Sequence, residues 1–266
     1  MCVNMRGSSD ESEVVRTRVP EGMGGLAKGL AILEAFASNE GRLTIAQAAH
    51  VSGATRASAR RCLLTLTELG YLEFDGKFYR PQPRLLLLST SYSMSRPLPQ
   101  LAQPYLALAR NKLNESVSLA VLDGDYVQFV ARAEVERLVS TRVSLGTRAP
   151  AYALAVGRVL IGSWSDEKLR SYLRESKLVA NTRNSLIRKG QLFDVIRHAQ
   201  ERGYATLDEE LEIGLRSIAV PVMDSRGQIV GAIGASASSL RITTSQMIKE
   251  FFPVLREHAA KLGRGL

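Results

Sequence analysis

The segment Thr55-Arg56-Ala57-Ser58-Ala59-Arg60-Arg61 brings three guanidinium groups and two hydroxyls into seven residues. This is chemistry suited to DNA. Arginine reads guanine bidentately in the major groove, and hydroxyls and helix-end N–H groups take phosphates. Further along, Lys77 and Arg80 add two more cations. A solvated charge cluster on a helix is the competing reading, and the arginines alone leave the two even. The elements that must position them decide between the two.

On a helical wheel Ala59, Cys62, Leu63, Leu66 and Leu69 fall on one side at the spacing of a buried stripe. Ala57, Arg60 and Arg61 fall opposite, with Arg56 and Thr67 on the flank. Thr55 is the expected N-cap, so Arg56, Ala57 and Ser58 form the first turn, the part of a recognition helix that enters the groove. Upstream, Leu26, Leu30, Leu33 and Ala37 predict an amphipathic helix, and Ser52-Gly53 supplies a tight turn. Gly70 ends the second core helix. Two short apolar runs then flank Asp75-Gly76-Lys77, a hairpin signal with a basic tip. Three helices and a hairpin in this order predict a winged helix-turn-helix over 23–83, with Lys77 and Arg80 beside the phosphates.

At 266 residues the chain is too long for that domain alone. Its 45% hydrophobic and 23% charged content is ordinary for a soluble globular protein. No apolar run reaches the length of a membrane span and no charged-then-apolar leader opens the sequence, so no membrane partner and a cytoplasmic location are expected. With Cys2 in a polar tail and Cys62 on a buried stripe, a disulfide is not expected. Residues 1–22 read as a disordered tail, 84–96 as a linker helix and 97–266 as a second domain. The net charge of +9 is uneven: residues 1–95 hold 11 Lys/Arg against 9 Asp/Glu, and residues 96–266 hold 24 against 17. The second domain therefore carries most of the excess, which suits steering toward DNA or drawing in an anionic ligand.

That second domain alternates strands with helices. Strands are predicted at 117–122, 126–131, near 138–145, at 204–207, and as a hairpin over 216–223 and 228–236. Helices are predicted at 97–114, 152–164, 165–176, 185–202 and 243–262, with Pro253 kinking the last. The result is an α+β domain of antiparallel strands covered by helices.

Catalytic constellations are absent. Gly22-Met23-Gly24-Gly25-Leu26-Ala27 matches the dinucleotide fingerprint in form, yet no strand precedes it. His50, His198 and His258 lie far apart, and the cysteines do not complete a zinc site. No metal or cofactor is expected. The acidic run 208–212 reads as a solvated loop, with Asp208 the exception.

Three ordered segments carry a resemblance: LTELGYLEF, GTRAPAYALAVGRVLIG and LDEELEIGLRSIAVPVMDSRGQIVGAIGASAS. From about Leu26 to Leu262 the chain resembles the isocitrate-lyase-regulator (IclR) family of bacterial transcription regulators. The form of the second and third segments is most similar to the branch that controls aromatic-acid breakdown by the β-ketoadipate route. The resemblance implies a homodimer or dimer of dimers on double-stranded operator DNA, with RNA polymerase a further partner. It also implies a GAF-like effector domain holding a small organic acid. Carried over by position, Leu154, Ala155 and Val156 would offer backbone N–H groups to a carboxylate, and Asp208, Ser217 and Ser236 would line the pocket. Many relatives have cysteine where this chain has Ser217, and serine where it has Gly234, so one hydroxyl donor is missing.

The residues themselves allow an anion pocket. Arg142, Arg148, Arg158 and Arg216 lie in or beside these segments, arginine is the natural bidentate partner of a carboxylate, and Tyr152 offers a ring or a phenol. One or two of these arginines are expected to touch ligand, and the rest to be surface charges or ion pairs. The expected mechanism is unequal binding of the acid to two conformations, passed to the DNA reader through the linker. Two other readings stand beside it: an enzyme acting on a small acid and fused to a DNA anchor, and a ligand-independent DNA-binding protein.

Overall fold

The computed structural model describes residues 23–39, 41–88, 90, 97–135 and 145–266. The tail 1–22, most of the linker beyond residue 88, Arg142 and most of the strand expected near 138–145 lie outside them. The chain divides into two units, residues 1–91 and 92–266.

The first unit is a winged helix. It runs α1 (Gly24–Ala35), α2 (Ile45–Ser52), α3 (Arg56–Glu68), β1 (Leu72–Phe74) and β2 (Tyr79–Pro81). Thr44 and Gln47 form a reciprocal capping box at the start of α2, and Gly53 ends it with φ at 61°. That left-handed residue turns the chain into α3, where glycine avoids the Cβ clash. The strands pair antiparallel, and Leu43 bridges to Tyr79, which ties the wing to the entrance of α2. Ile32, Phe36, Leu43, Ala59, Leu63, Leu72 and Tyr79 form its core.

Two expectations change here. Helix α1 buries Ile32, with Phe36 just beyond its end, and leaves Leu26 (56%) and Leu30 (48%) exposed. The buried side is therefore rotated from the Leu26–Leu30 stripe. Leu69 is also exposed, because α3 ends at Glu68 and the chain leaves the core there. Pro83–Leu85 form a 3-10 turn that leads into helical residues 86–88, the described part of the expected linker helix.

The second unit is a six-stranded antiparallel sheet between two helical layers. Its elements are α4 (Leu98–Leu113), β3 (Val117–Asp123), β4 (Tyr126–Ala133), β5 (Arg148–Pro150), α5 (Ala155–Ile161), α6 (Asp166–Glu175), α7 (Lys189–Arg202), β6 (Ala205–Asp208), β7 (Leu215–Met223), β8 (Ile229–Ser238) and α8 (Thr244–Gly263). The sheet order is β5-β4-β3-β8-β7-β6. Helices α4 and α8 pack with Val117, Leu119, Ile218, Val220 and Ile233 on one face. Helices α5, α6 and α7 pack with Ala120, Val127, Phe129, Ala219 and Ala232 on the other. The α+β expectation holds. Among the described residues no helix is long and apolar enough to cross a membrane.

The helix expected at 152–164 is instead a 3-10 turn (Ala151–Ala153), an extended Leu154 and the short α5. Segment 148–150, read as loop, is edge strand β5, and α8 passes through Pro253 without a break in its span.

His258 lies on the buried side of α8, 4% exposed, with neither ring nitrogen hydrogen-bonded among the described residues. Burial holds its pKa below the ordinary 6.5; Lys261 and Lys112 act in the same direction and Glu257 against it. The unfolded chain then binds more protons than the folded one between the depressed pKa and 6.5, so stability falls as pH drops through that window. Urea denaturation from pH 7.5 to 5 should show this decline, and His258→Leu should flatten it. An unchanged slope in the variant would assign the decline to other groups.

Candidate DNA interface and effector site

All of the first group of predicted residues but Ser58 are exposed. The Thr55 hydroxyl accepts the Ser58 N–H at 3.2 Å, so α3 begins where the sequence predicts. Arg56, Ala57, Arg60 and Arg61 are exposed and Ser58 is half-buried, while Ala59 and Leu63 are sealed against the core. In the wing, Asp75 accepts the N–H groups of Lys77 and Phe78 at 2.9 and 2.7 Å. Those bonds, helped by Arg80, hold its carboxyl below the usual range. Arg80 pairs with Asp75 at 3.0 Å, so this side chain first braces the turn, which the sequence did not show. Lys77 stands at the tip, over the Phe78 ring.

The second group is split. Ser217 and Ser236 are direct partners across β7 and β8, and Gly234 pairs with both Ala219 and Ser118. Directly opposed residues share a face of the sheet, and Ala219 puts this one in the α5 layer. Val156 of α5 closes over it: a Cβ built on Gly234 would lie 2.8 Å from Val156 Cγ1. The valine methyl thus occupies the space that a serine side chain at 234 would need. Leu154 and Ala155 are buried beside it, and no side chain caps the helix that they open. Neither the Ser217 nor the Ser236 hydroxyl makes a hydrogen bond among the described residues, and both side chains are half-buried.

The remaining residues are elsewhere. Asp208 alternates with Leu207, so it points to the other face, where it pairs with Arg216 at 2.6 Å and accepts the Thr244 hydroxyl at 2.9 Å. Arg216 also donates to the Ser239 and Ile242 carbonyls, and so it staples a loop. Arg148 sits on edge strand β5, paired with Asp123 at 2.7 Å and stacked on Tyr126. Five strand spacings, roughly 24 Å, separate its strand from that of Asp208. One small acid cannot touch both.

Tyr152 acts as a bracket, its polar atoms all taken within the fold. Its hydroxyl donates to the Lys177 carbonyl and accepts from Val179 N–H, its N–H donates to the Tyr172 hydroxyl, and its carbonyl accepts from Arg158. Arg158 is 2% exposed and grips both Glu210 oxygens, at 3.0 and 2.6 Å. Within the acidic run it is thus half-buried Glu210, not exposed Asp208, that holds a fully buried arginine. Tyr172 closes the network by donating to the Asp125 carbonyl, and burial pushes its phenol up to about 12. Sequence reasoning missed Tyr172 and Glu210, since nothing in their spacing distinguishes them from surface residues.

One cation does share the Ser217–Ser236 face. Arg132 pairs with Ser118 across β4 and β3, its side chain is 7% exposed, and Nη1 donates to the Ser118 hydroxyl at 3.1 Å. The register between the two strands shifts at Leu119/Ala120, where Ala131 opposes Leu119 but Phe129 opposes Ala120. The additional residue, Val130, reverses the alternation, and this turns Arg132 onto the α5 face.

An exposed arginine-bearing recognition helix with a wing, followed by a separate domain with a polar patch in an apolar layer, defines a DNA-binding regulator with a sensory domain. Two family profiles match: "IclR helix-turn-helix domain" over residues 25–76 and "Bacterial transcriptional regulator IclR C-terminal" over residues 90–264. The chain belongs to the IclR family of bacterial transcriptional regulators. It is 42% identical to the Pca regulon regulatory protein of Pseudomonas putida over 237 residues, covering 89% of this chain and 81% of that one. It is 34% identical to the p-hydroxybenzoate hydroxylase transcriptional activator of Acinetobacter baylyi over 256 residues, 94% of each. The fold matches that of an IclR homolog complexed with 4-hydroxybenzoate from Microbacterium hydrocarbonoxydans, with a TM-score of 0.77 at 23% identity, covering 90% of this chain and 97% of that one.

Proposed function

We propose that this regulator binds a small aromatic carboxylic acid on the α5 face of its sheet, and that the acid modulates operator binding. The observation that carries this reading is the Ser217–Ser236 pair, two half-buried hydroxyls without partners among the described residues, on the sheet face that Val156 and the α5 layer cover. Hydroxyls in such a layer gain a partner when a polar ligand arrives. The p-hydroxybenzoate regulator of Acinetobacter baylyi and the 4-hydroxybenzoate complex of the Microbacterium homolog support an aromatic acid as that ligand.

The acting form is a homodimer or dimer of dimers. Leu26 and Leu30 on α1, with Met23 at its N-cap, leave apolar surface exposed, and Leu86, Leu87 and Leu88 are exposed after the wing, which supports a second copy as partner. Two recognition helices then meet half-sites about one helical turn, or a multiple of it, apart. RNA polymerase is a further partner, and the chain works in the cytoplasm as a binding protein and not as an enzyme.

Calorimetric titration with 4-hydroxybenzoate, protocatechuate and β-ketoadipate tests the reading. Saturable binding of an aromatic acid is expected, and Ser217→Leu should weaken it at least about tenfold by replacing a donor with bulk. No heat from any of the three acids would overturn the aromatic-acid assignment.

A further inference from the structure

We propose that Arg132 is the carboxylate anchor of the effector site and thereby sets its selectivity for an acid over the corresponding neutral ring. This rests on the aromatic-acid reading above. The β-bulge turns this one arginine onto the α5 face, where the described polar neighbours in its own row and the next are the Ser118, Ser236 and Ser217 hydroxyls. Its guanidinium reaches over Ser118, one strand from Gly234 and Ser236 and two strands from Ser217. Two strand spacings are about 10 Å. That distance suits one aromatic ring with a carboxylate toward Arg132 and a ring hydroxyl toward Ser217, while Val156 supplies the apolar wall.

The guanidinium now donates Nε to Glu134 at 2.7 Å, and the Glu134 side chain is 66% exposed. This pairing is exchangeable. An exposed carboxylate is held weakly in water, whereas a ligand carboxylate bound inside the site keeps its charge-assisted hydrogen bonds away from solvent. Glu134 thus competes with the effector for the same fork. The other candidate arginines do not play this part: Arg158 is closed on half-buried Glu210, Arg216 faces α8, and Arg148 lies on the edge strand.

The experiment uses the full-length protein and two probes, 4-hydroxybenzoate and 4-hydroxybenzyl alcohol, which lacks the carboxylate. Wild type should prefer the acid, and Arg132→Gln should lose about 10- to 100-fold in acid affinity while binding the alcohol as wild type does. Glu134→Gln, an exposed change that spares the fold, should tighten acid binding and leave alcohol binding unmoved. An Arg132→Gln protein that binds the acid as wild type does, or loses both probes equally, would overturn the proposal. So would Glu134→Gln with unchanged or weaker acid binding. If wild type binds neither probe and protocatechuate also gives no heat, the aromatic-acid reading falls and the anchor falls with it. Acid binding that ignores Arg132 removes the anchor alone.

Discussion

Alanine at Arg56, Arg60 and Arg61 together is expected to abolish specific operator binding, and each single change should cost roughly 5- to 100-fold. The three guanidinium groups stand on the exposed side of α3 and make no ion pair among the described residues, so their removal leaves no buried charge and the fold should persist. Base and phosphate contacts differ in what they lose. An arginine that reads guanine should, when removed, flatten the preference for operator over scrambled duplex. Lys77→Ala should weaken both duplexes alike and lower the salt slope by about one counterion. Fluorescence anisotropy on a selected operator and a scrambled control, repeated across salt concentrations, separates the two. Operator affinity retained by the triple variant would place the recognition surface elsewhere on the chain.

The winged helix was legible because its signals are local. Thr55 caps a helix three residues from Ser58, Gly53 reverses the chain beside it, and Asp75 turns its own hairpin. Each needs only neighbours in sequence. The effector face is another matter, since it depends on which strands become adjacent and in which phase. Ser217 and Ser236 came from position in the family motif, and the hairpin of β7 and β8 sets them side by side. Asp208 was misplaced because position in a motif does not state which face a side chain takes, and one step along β6 separates it from the face of Leu207. Arg132 was overlooked for a related reason. Strict alternation with Val127 and Phe129 would send it to the α4 and α8 face, and only the long-range register of β4 on β3 reveals the shift at Leu119/Ala120. The arginines that seemed suited to a ligand, Arg158 and Arg216, instead found partners across the fold, as buried guanidinium groups do when a carboxylate or carbonyl is within reach.

Gly157→Ala should destabilise the second unit by at least about 3 kcal/mol and eliminate its response to acid. A Cβ there would fall well inside van der Waals contact of the Ala151 carbonyl oxygen and 2.6 Å from Ala151 Cα. These are backbone atoms, so no rotamer change relieves the overlap, and either the 3-10 turn or α5 must move. Movement of α5 would lift Val156 from Gly234, and movement of the turn would break Arg158 Nε from the Tyr152 carbonyl while disturbing the Tyr152 bracket on 177–179. Either displacement opens the layer in which Ser217 and Ser236 lie. Gly190→Ala provides the contrast: it also lies inside a helix, α7, but has nothing within 4 Å of the added methyl. Relief of glycine's conformational entropy should make that variant equal to wild type or up to about 1 kcal/mol more stable. Scanning calorimetry should therefore show the transition of the second unit lowered in the first variant and held or raised in the second. The first unit has a core of its own, built on Ile32, Leu43, Leu63 and Tyr79, so Gly157→Ala should retain its non-specific affinity for DNA. If Gly157→Ala kept both its melting temperature and its acid response, the close approach of α5 to the 3-10 turn would not be what holds the effector face in place.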